Sequence, residues 1–138
     1  MYRISIPAVV IAFLAEIFAD QIVQFLVLMA LAGNSLGADL DPAALQKVIE
    51  DVSQTTAFTL CIVVFGTATT LGGGYLAARI ARQYPYYHGL AMGLVGIAFL
   101  LYFWNANPLW LSLLGVLTNI PVSIYGAHLA KGHMPPPE

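Results

Sequence analysis

Residues 13–25 read FLAEIFADQIVQF, an apolar run interrupted by Glu16, Asp20, Gln21 and Gln24. The run begins at Ile4 and ends near Ala32; as a helix rising about 1.5 Å per residue it crosses a hydrocarbon layer roughly 30 Å thick. Steps of about 100° per residue put Glu16, Asp20 and Gln24 on one stripe, with Ser5 on the same side and Gln21 at the flank. Ala8, Ala12, Ala15 and Ala19 border that stripe, and Ile11, Leu14, Phe18, Ile22, Phe25 and Met29 form the opposite, lipid-suited face. A carboxylate at mid-bilayer costs about 2.5 kcal/mol or more, so acids in a span are expected to face other helices or a wet cavity.

Composition supports the membrane reading. Of 138 residues 59% are hydrophobic and only 9% charged, too few charges for the surface of an ordinary soluble domain. Five basic against seven acidic residues leave a net charge of -2 and no nucleic-acid footprint. Cys61 is the single cysteine, so no disulfide can form within the chain. Arg3 before the apolar run and Ala30-Leu31-Ala32 after it have the outline of a secretory signal, but the run is too long for one and carries two acids.

Outward from the first span, Asp41-Pro42 has the form of a helix start. A short amphipathic helix over 42–53 is expected, with Leu45, Val48, Ile49 and Val52 on one side and Lys47, Glu50 and Asp51 on the other. It either lies at the interface or runs straight into the next span. That span, 55–81, carries a small-residue stripe of Gly66, Thr70, Gly73, Ala77 and Ala81, suited to close helix packing; Gly72-Gly73-Gly74 could instead act as a hinge. The third span, 87–104, has its own small face in Gly89, Gly93 and Gly96, and the fourth, 109–130, is expected to be capped by Asn107 and broken by Pro121. Tyr84, Tyr86 and Tyr87 at one end, with Tyr102, Phe103, Trp104 and Trp110 at the other, make two aromatic belts. A Pro-rich tail follows Lys131.

Arg3, Arg79, Arg82 and Lys131 belong to the N-terminus, the turn between spans two and three, and the C-terminus; the first loop carries Asp39, Asp41, Glu50 and Asp51 with Lys47 alone. The positive-inside rule therefore places both termini in the cytoplasm, and short connections favour an up-down-up-down order. Residues 74–79 and 126–131 each set a basic residue five after a glycine, a faint echo of a two-plus-two repeat.

The stretch GGGYLAARIAR at 72–82, followed by a short turn, His88-Gly89 and a glycine-rich span, resembles a GGYxAARxA-type signature of small four-span bacterial integral membrane proteins. The resemblance implies a four-helix bundle in a bacterial inner membrane. It carries no functional residue with it.

Depth along each span suggests where chemistry could gather. Glu16 lies about 16 Å along its helix from Ser5, Asn119 about as far from Ala130, and Thr69 and Thr70 about as far from Ile80. A polar layer of Glu16, Thr69 or Thr70, and Asn119 is expected there, with Asp20 and Gln24 continuing it outward. No Lys, Arg or His of the sequence stands at that depth, and Arg3 is thirteen residues from Glu16, about 20 Å along the helix. Glu16 is then protonated, bound to a cation, hydrated, or paired across a subunit interface. Desolvation favours the neutral acid, so proton exchange near neutral pH is expected. Alternatively the acids simply join helices through hydrogen bonds, worth about 0.6 to 2 kcal/mol per contact.

His88 and His128 fall near one surface and could face each other as haem b or metal ligands, or serve as interfacial polar residues at helix ends. Arg79, Arg82 and Lys131 could hold an anionic lipid headgroup or only anchor the topology. No nucleophile elbow, H-E-x-x-H or phosphate loop is present, so no enzyme is expected. The sequence predicts an all-α, four-helix transmembrane bundle with a short external helix between spans one and two. Its expected role is proton or cation handling as a homo-oligomer, or that of an accessory subunit in a larger membrane complex.

Overall fold

Each long apolar run forms one uninterrupted helix. A computed structural model describes residues 4–33, 41–104 and 108–133; Arg3, Asp39, Asn107 and the Pro-rich tail from residue 134 lie outside them. Five helices follow in order: α1 (Ile6–Ala32), α2 (Pro42–Ser53), α3 (Thr56–Ala81), α4 (Pro85–Tyr102) and α5 (Leu109–Lys131). All but α2 are long and apolar enough to cross a membrane. Their outer faces suit lipid, with Ile11, Leu14, Phe18, Phe25 and Leu117 all exposed.

Local chemistry sets the helix ends. Asp41 caps α2, its carboxylate accepting from Ala43 N–H at 3.4 Å, and Pro42 takes the first helical position. Only Gln54 and Thr55 separate α2 from α3, and Thr55 Oγ1 accepts from Phe58 N–H at 3.1 Å. The amphipathic segment therefore ends in a break and does not run straight on. Pro85 opens α4, two residues before the start expected at 87, and Phe103 and Trp104 fall beyond its end. Pro108 occupies the cap position of α5 without a side-chain cap bond. Pro121 does not break α5: an apolar helix tolerates the loss of one backbone donor when its neighbours hold the rest of the turn.

By its internal contacts the chain divides into two units, Met1–Ile17 with Thr67–Glu138, and Phe18–Gly66. In the first, α4 and α5 lie antiparallel. Gly89 meets Ala127 and Ser123, Gly93 meets Ile120, Gly96 meets Asn119, and Gly115 meets Leu100. The last part of α3 runs alongside α5 in the same direction, with Gly74 against the Ser123 carbonyl and Arg79 Nη1 donating to His133 O. The start of α1 runs with α4, since Ser5 N–H donates to His88 Nε2 at 2.9 Å and the Phe13 and Phe99 rings meet edge-on at 5.6 Å.

Small residues on α3 serve two seams. Gly73 and Ala77 look toward α1 and α4, where Val9, Ala12, Ala77 and Met92 form one buried cluster. Gly74 and Ala78 look toward α5, where Ala78, Ala127 and Ala130 form another. The stripe expected from spacing is thus displaced: Gly74 and Ala78 join it, while a side chain at Gly66 would meet open space. The glycine triplet stays helical, which favours packing over a hinge. In the second unit Val27 and Ala32 are buried, and none of α2 is.

A matched pair of substitutions tests this packing. A Cβ on Gly74 would run into the Ser123 carbonyl, whereas one on Gly72 finds nothing within 4 Å. Gly74→Ala should destabilise the protein by about 1–3 kcal/mol through overpacking. Gly72→Ala should be neutral or stabilising by about 0.5–1 kcal/mol. Unfolding of both variants in detergent would check this, and equal effects would contradict the seam.

Candidate functional site

The carboxyl group of Glu16 rests against the bare Cα of Gly73, beside the Met92 methyl. Helical side chains lean toward the N-terminus of their own helix, so this one falls back from α1 toward the level of Ala12, where the Val9, Ala12, Ala77 and Met92 cluster lies. Glu16 is half-buried and turned toward protein. A residue larger than glycine at 73 would occupy the space its Oε2 fills.

The expected polar layer is therefore stepped. Glu16 meets α3 at Gly73, about one turn nearer the Arg79 end than Thr69 and Thr70, both half-buried. Asn119 lays its amide on Gly96 of α4, four residues beyond Met92 and so about 6 Å farther along that helix. Asp20, on the part of α1 belonging to the second unit, is half-buried, and Gln24 one turn on is exposed. Glu16, Asp20 and Thr69 each have interaction partners. Gly73 and Met92 are the site residues that spacing alone missed, because nothing in one helix's sequence names the residue opposite.

His88 has a role that its position in the sequence did not suggest. It is 1% exposed. Its Nε2 accepts from Ser5 N–H at 2.9 Å, which leaves the proton on Nδ1, 3.1 Å from the Tyr84 carbonyl. With both ring nitrogens engaged, this ring presents no lone pair to a metal or haem iron. His128 is exposed, bonded through Nδ1 to Tyr86 Oη at 2.9 Å and stacked on Tyr86 and Tyr125. Among the described residues, no three of the His, Cys, Asp and Glu side chains cluster to hold a metal.

The basic residues gather at the end of the first unit where α3 and α5 finish. Arg79, Arg82 and Lys131 are all exposed; Lys131 Nζ lies over the Tyr86 ring at 5.6 Å, and His133 meets Tyr75 edge-on at 6.2 Å. Arg82 and Tyr84, in the turn between α3 and α4, have left-handed backbones with φ of 55° and 47°. Among the described residues Ser112 and Ser123 carry buried hydroxyls without a hydrogen-bond partner.

The fit of Glu16 to Gly73 can be measured by coupling. Gly73→Ala should cost about 1–3 kcal/mol by overpacking, and much less when Glu16 is already alanine, because the space is then free. A double-mutant cycle on unfolding in detergent reads this directly. An equal cost in both backgrounds would show that the carboxyl group does not fill the site.

Comparison with family models, with curated proteins and with solved structures gave no match to this chain.

Proposed function

We propose that this chain is a non-enzymatic membrane protein that exchanges a proton or binds a cation at Glu16. The observation that carries the reading is the inward turn of that carboxyl group onto Gly73 and Met92, away from the lipid-suited face of its own helix. An acid held in such surroundings is costly unless it is used or paired. Asp20 and Gln24 follow at four-residue steps on the same helix and would continue a polar track outward; Thr70 and Asn119 supply further polar groups. No cofactor is needed for such exchange.

In this reading the four long helices cross a bacterial inner membrane up-down-up-down, with both termini cytoplasmic. Arg79, Arg82 and Lys131 then sit at the cytoplasmic headgroups, as the positive-inside rule requires, and the tyrosines beside them occupy the interface. The bacterial setting rests on the resemblance of residues 72–82. Leu45, Val48, Ile49 and Val52 line one side of α2, none of them buried. That favours α2 lying on the outer surface of the bilayer.

A second reading, an accessory subunit in a larger membrane complex, is favoured by the exposed amides of Gln21 and Gln24 on α1. Reconstituted protein should dissipate a pH or cation gradient faster than empty vesicles, and Glu16→Gln should lower that rate at least about tenfold. Background flux in both proteins would remove the first reading, and a stable co-purifying partner would favour the second. Reporter fusions check the topology independently. Fusions at either terminus should report cytoplasm, and an insertion within 34–40 should report the outside.

A further inference from the structure

We infer that the bond from Ser5 to His88 is a latch, released by a proton, over the approach to Glu16 between α1 and α4. That role names a regulation of the Glu16 site and rests on the reading of that acid as an exchanging group. The bond is built for one protonation state. His88 is 1% exposed, its Nε2 accepts from Ser5 N–H at 2.9 Å, and its Nδ1 faces the Tyr84 carbonyl at 3.1 Å. Both partners are backbone groups of fixed kind: the Tyr84 carbonyl only accepts and Ser5 N–H only donates. A ring carrying a second proton has no lone pair left for Ser5, and two N–H groups then face each other.

The surroundings offer that proton no countercharge. Among the described residues of the first unit Glu16 is the one acid, and it lies about 16 Å along α1 from Ser5. The charged groups toward this end are Arg79 and Arg82, at the end of α3 and just beyond it, and Lys131 of α5, all exposed and all positive. Its other titratable side chains are Tyr75 of α3, Tyr84, Tyr86 and Tyr87 at the start of α4, and His128 of α5. A buried imidazolium among them is costly, and turning the ring out to water, away from α1, relieves it. Beyond the latch the seam is thin. Val9 and Ala12 meet Ala77 and Met92, and the Met92 methyl stands beside the Glu16 carboxyl group. Ser5, Val9, Ala12 and Glu16 follow at steps of three and four, so the latch holds the outer end of the stripe on which the acid sits. Freeing Ser5 lets the first turns of α1 lift from α4 and admits water toward Glu16.

Nitrogen NMR of the full chain in bilayers reads the latch directly, across the range in which histidine ordinarily charges, about pH 8 to about pH 5. At the alkaline end His88 Nε2 should resonate as an unprotonated ring nitrogen, coupled through its hydrogen bond to the Ser5 amide nitrogen. At the acid end both signatures should be gone. Thiol labelling in a Cys61→Ser background reads the lifting of α1. Val9→Cys, buried at the seam, should react at least about tenfold faster at the acid end, relative to the exposed Ile6→Cys at the same pH. His88→Gln supplies an acceptor that takes no proton, so slow labelling should persist in acid. Ser5→Pro removes the donor alone and should label fast at both ends. A Ser5 coupling that survives acid, labelling that does not change with pH, or a wild-type pH response in Ser5→Pro would each overturn the latch. The nitrogen signals need no substitution and decide the matter where a variant does not fold. Background flux in the gradient assay beside an acid-released bond removes only the role given to Glu16; flux above background beside a bond that ignores pH removes only the latch.

Discussion

Where α3 passes α5, backbone touches backbone. The Ser123 carbonyl occupies the place a Gly74 side chain would take, and the Leu71 carbonyl the place a Gly126 side chain would take, so each helix supplies the gap the other enters. Between apolar helices in lipid no hydrophobic force favours contact; close packing and weak Cα–H···O contacts must serve. The same Ser123 carbonyl lies against Gly89 of α4, so three helices of that unit meet around one peptide group. Adding a methyl group at this point separates them.

The candidate site depends on that meeting. Neighbouring residues on a helix point about 100° apart, so once Gly74 is pressed to α5, Gly73 is turned toward α1 and α4. The bare Cα there receives the Glu16 carboxyl group, with Met92 closing one side. Structure and chemistry share one glycine run: its third member holds the helices together, its second makes room for the acid, and its first faces open space.

Helices α1 and α3 to α5 were legible because their signals are local. Apolar length announces a span, and the inward side of α1 follows from the angular positions of Glu16 and Ala12. Pairing was not legible. Spacing on α3 could not say that Gly74 and Ala78 belong to a second seam, since that is decided by where α5 lies. Depth counted on Cα positions set Glu16 level with Thr69 and Thr70, whereas its side chain leans back to Gly73. Pro121 signals a break only if lost backbone bonding is decisive, and α5 continues through it.

The bond from Ser5 to His88 joins groups 83 residues apart. A chain emerging from a ribosome makes its first span long before its fourth helix exists, so the start of α1 must wait, without this partner, while α2 and α3 are synthesised. Only when α4 arrives does the stretch leading into α1 gain its imidazole clasp. A helix made before α3 is in this sense fastened at its start after α3 is complete.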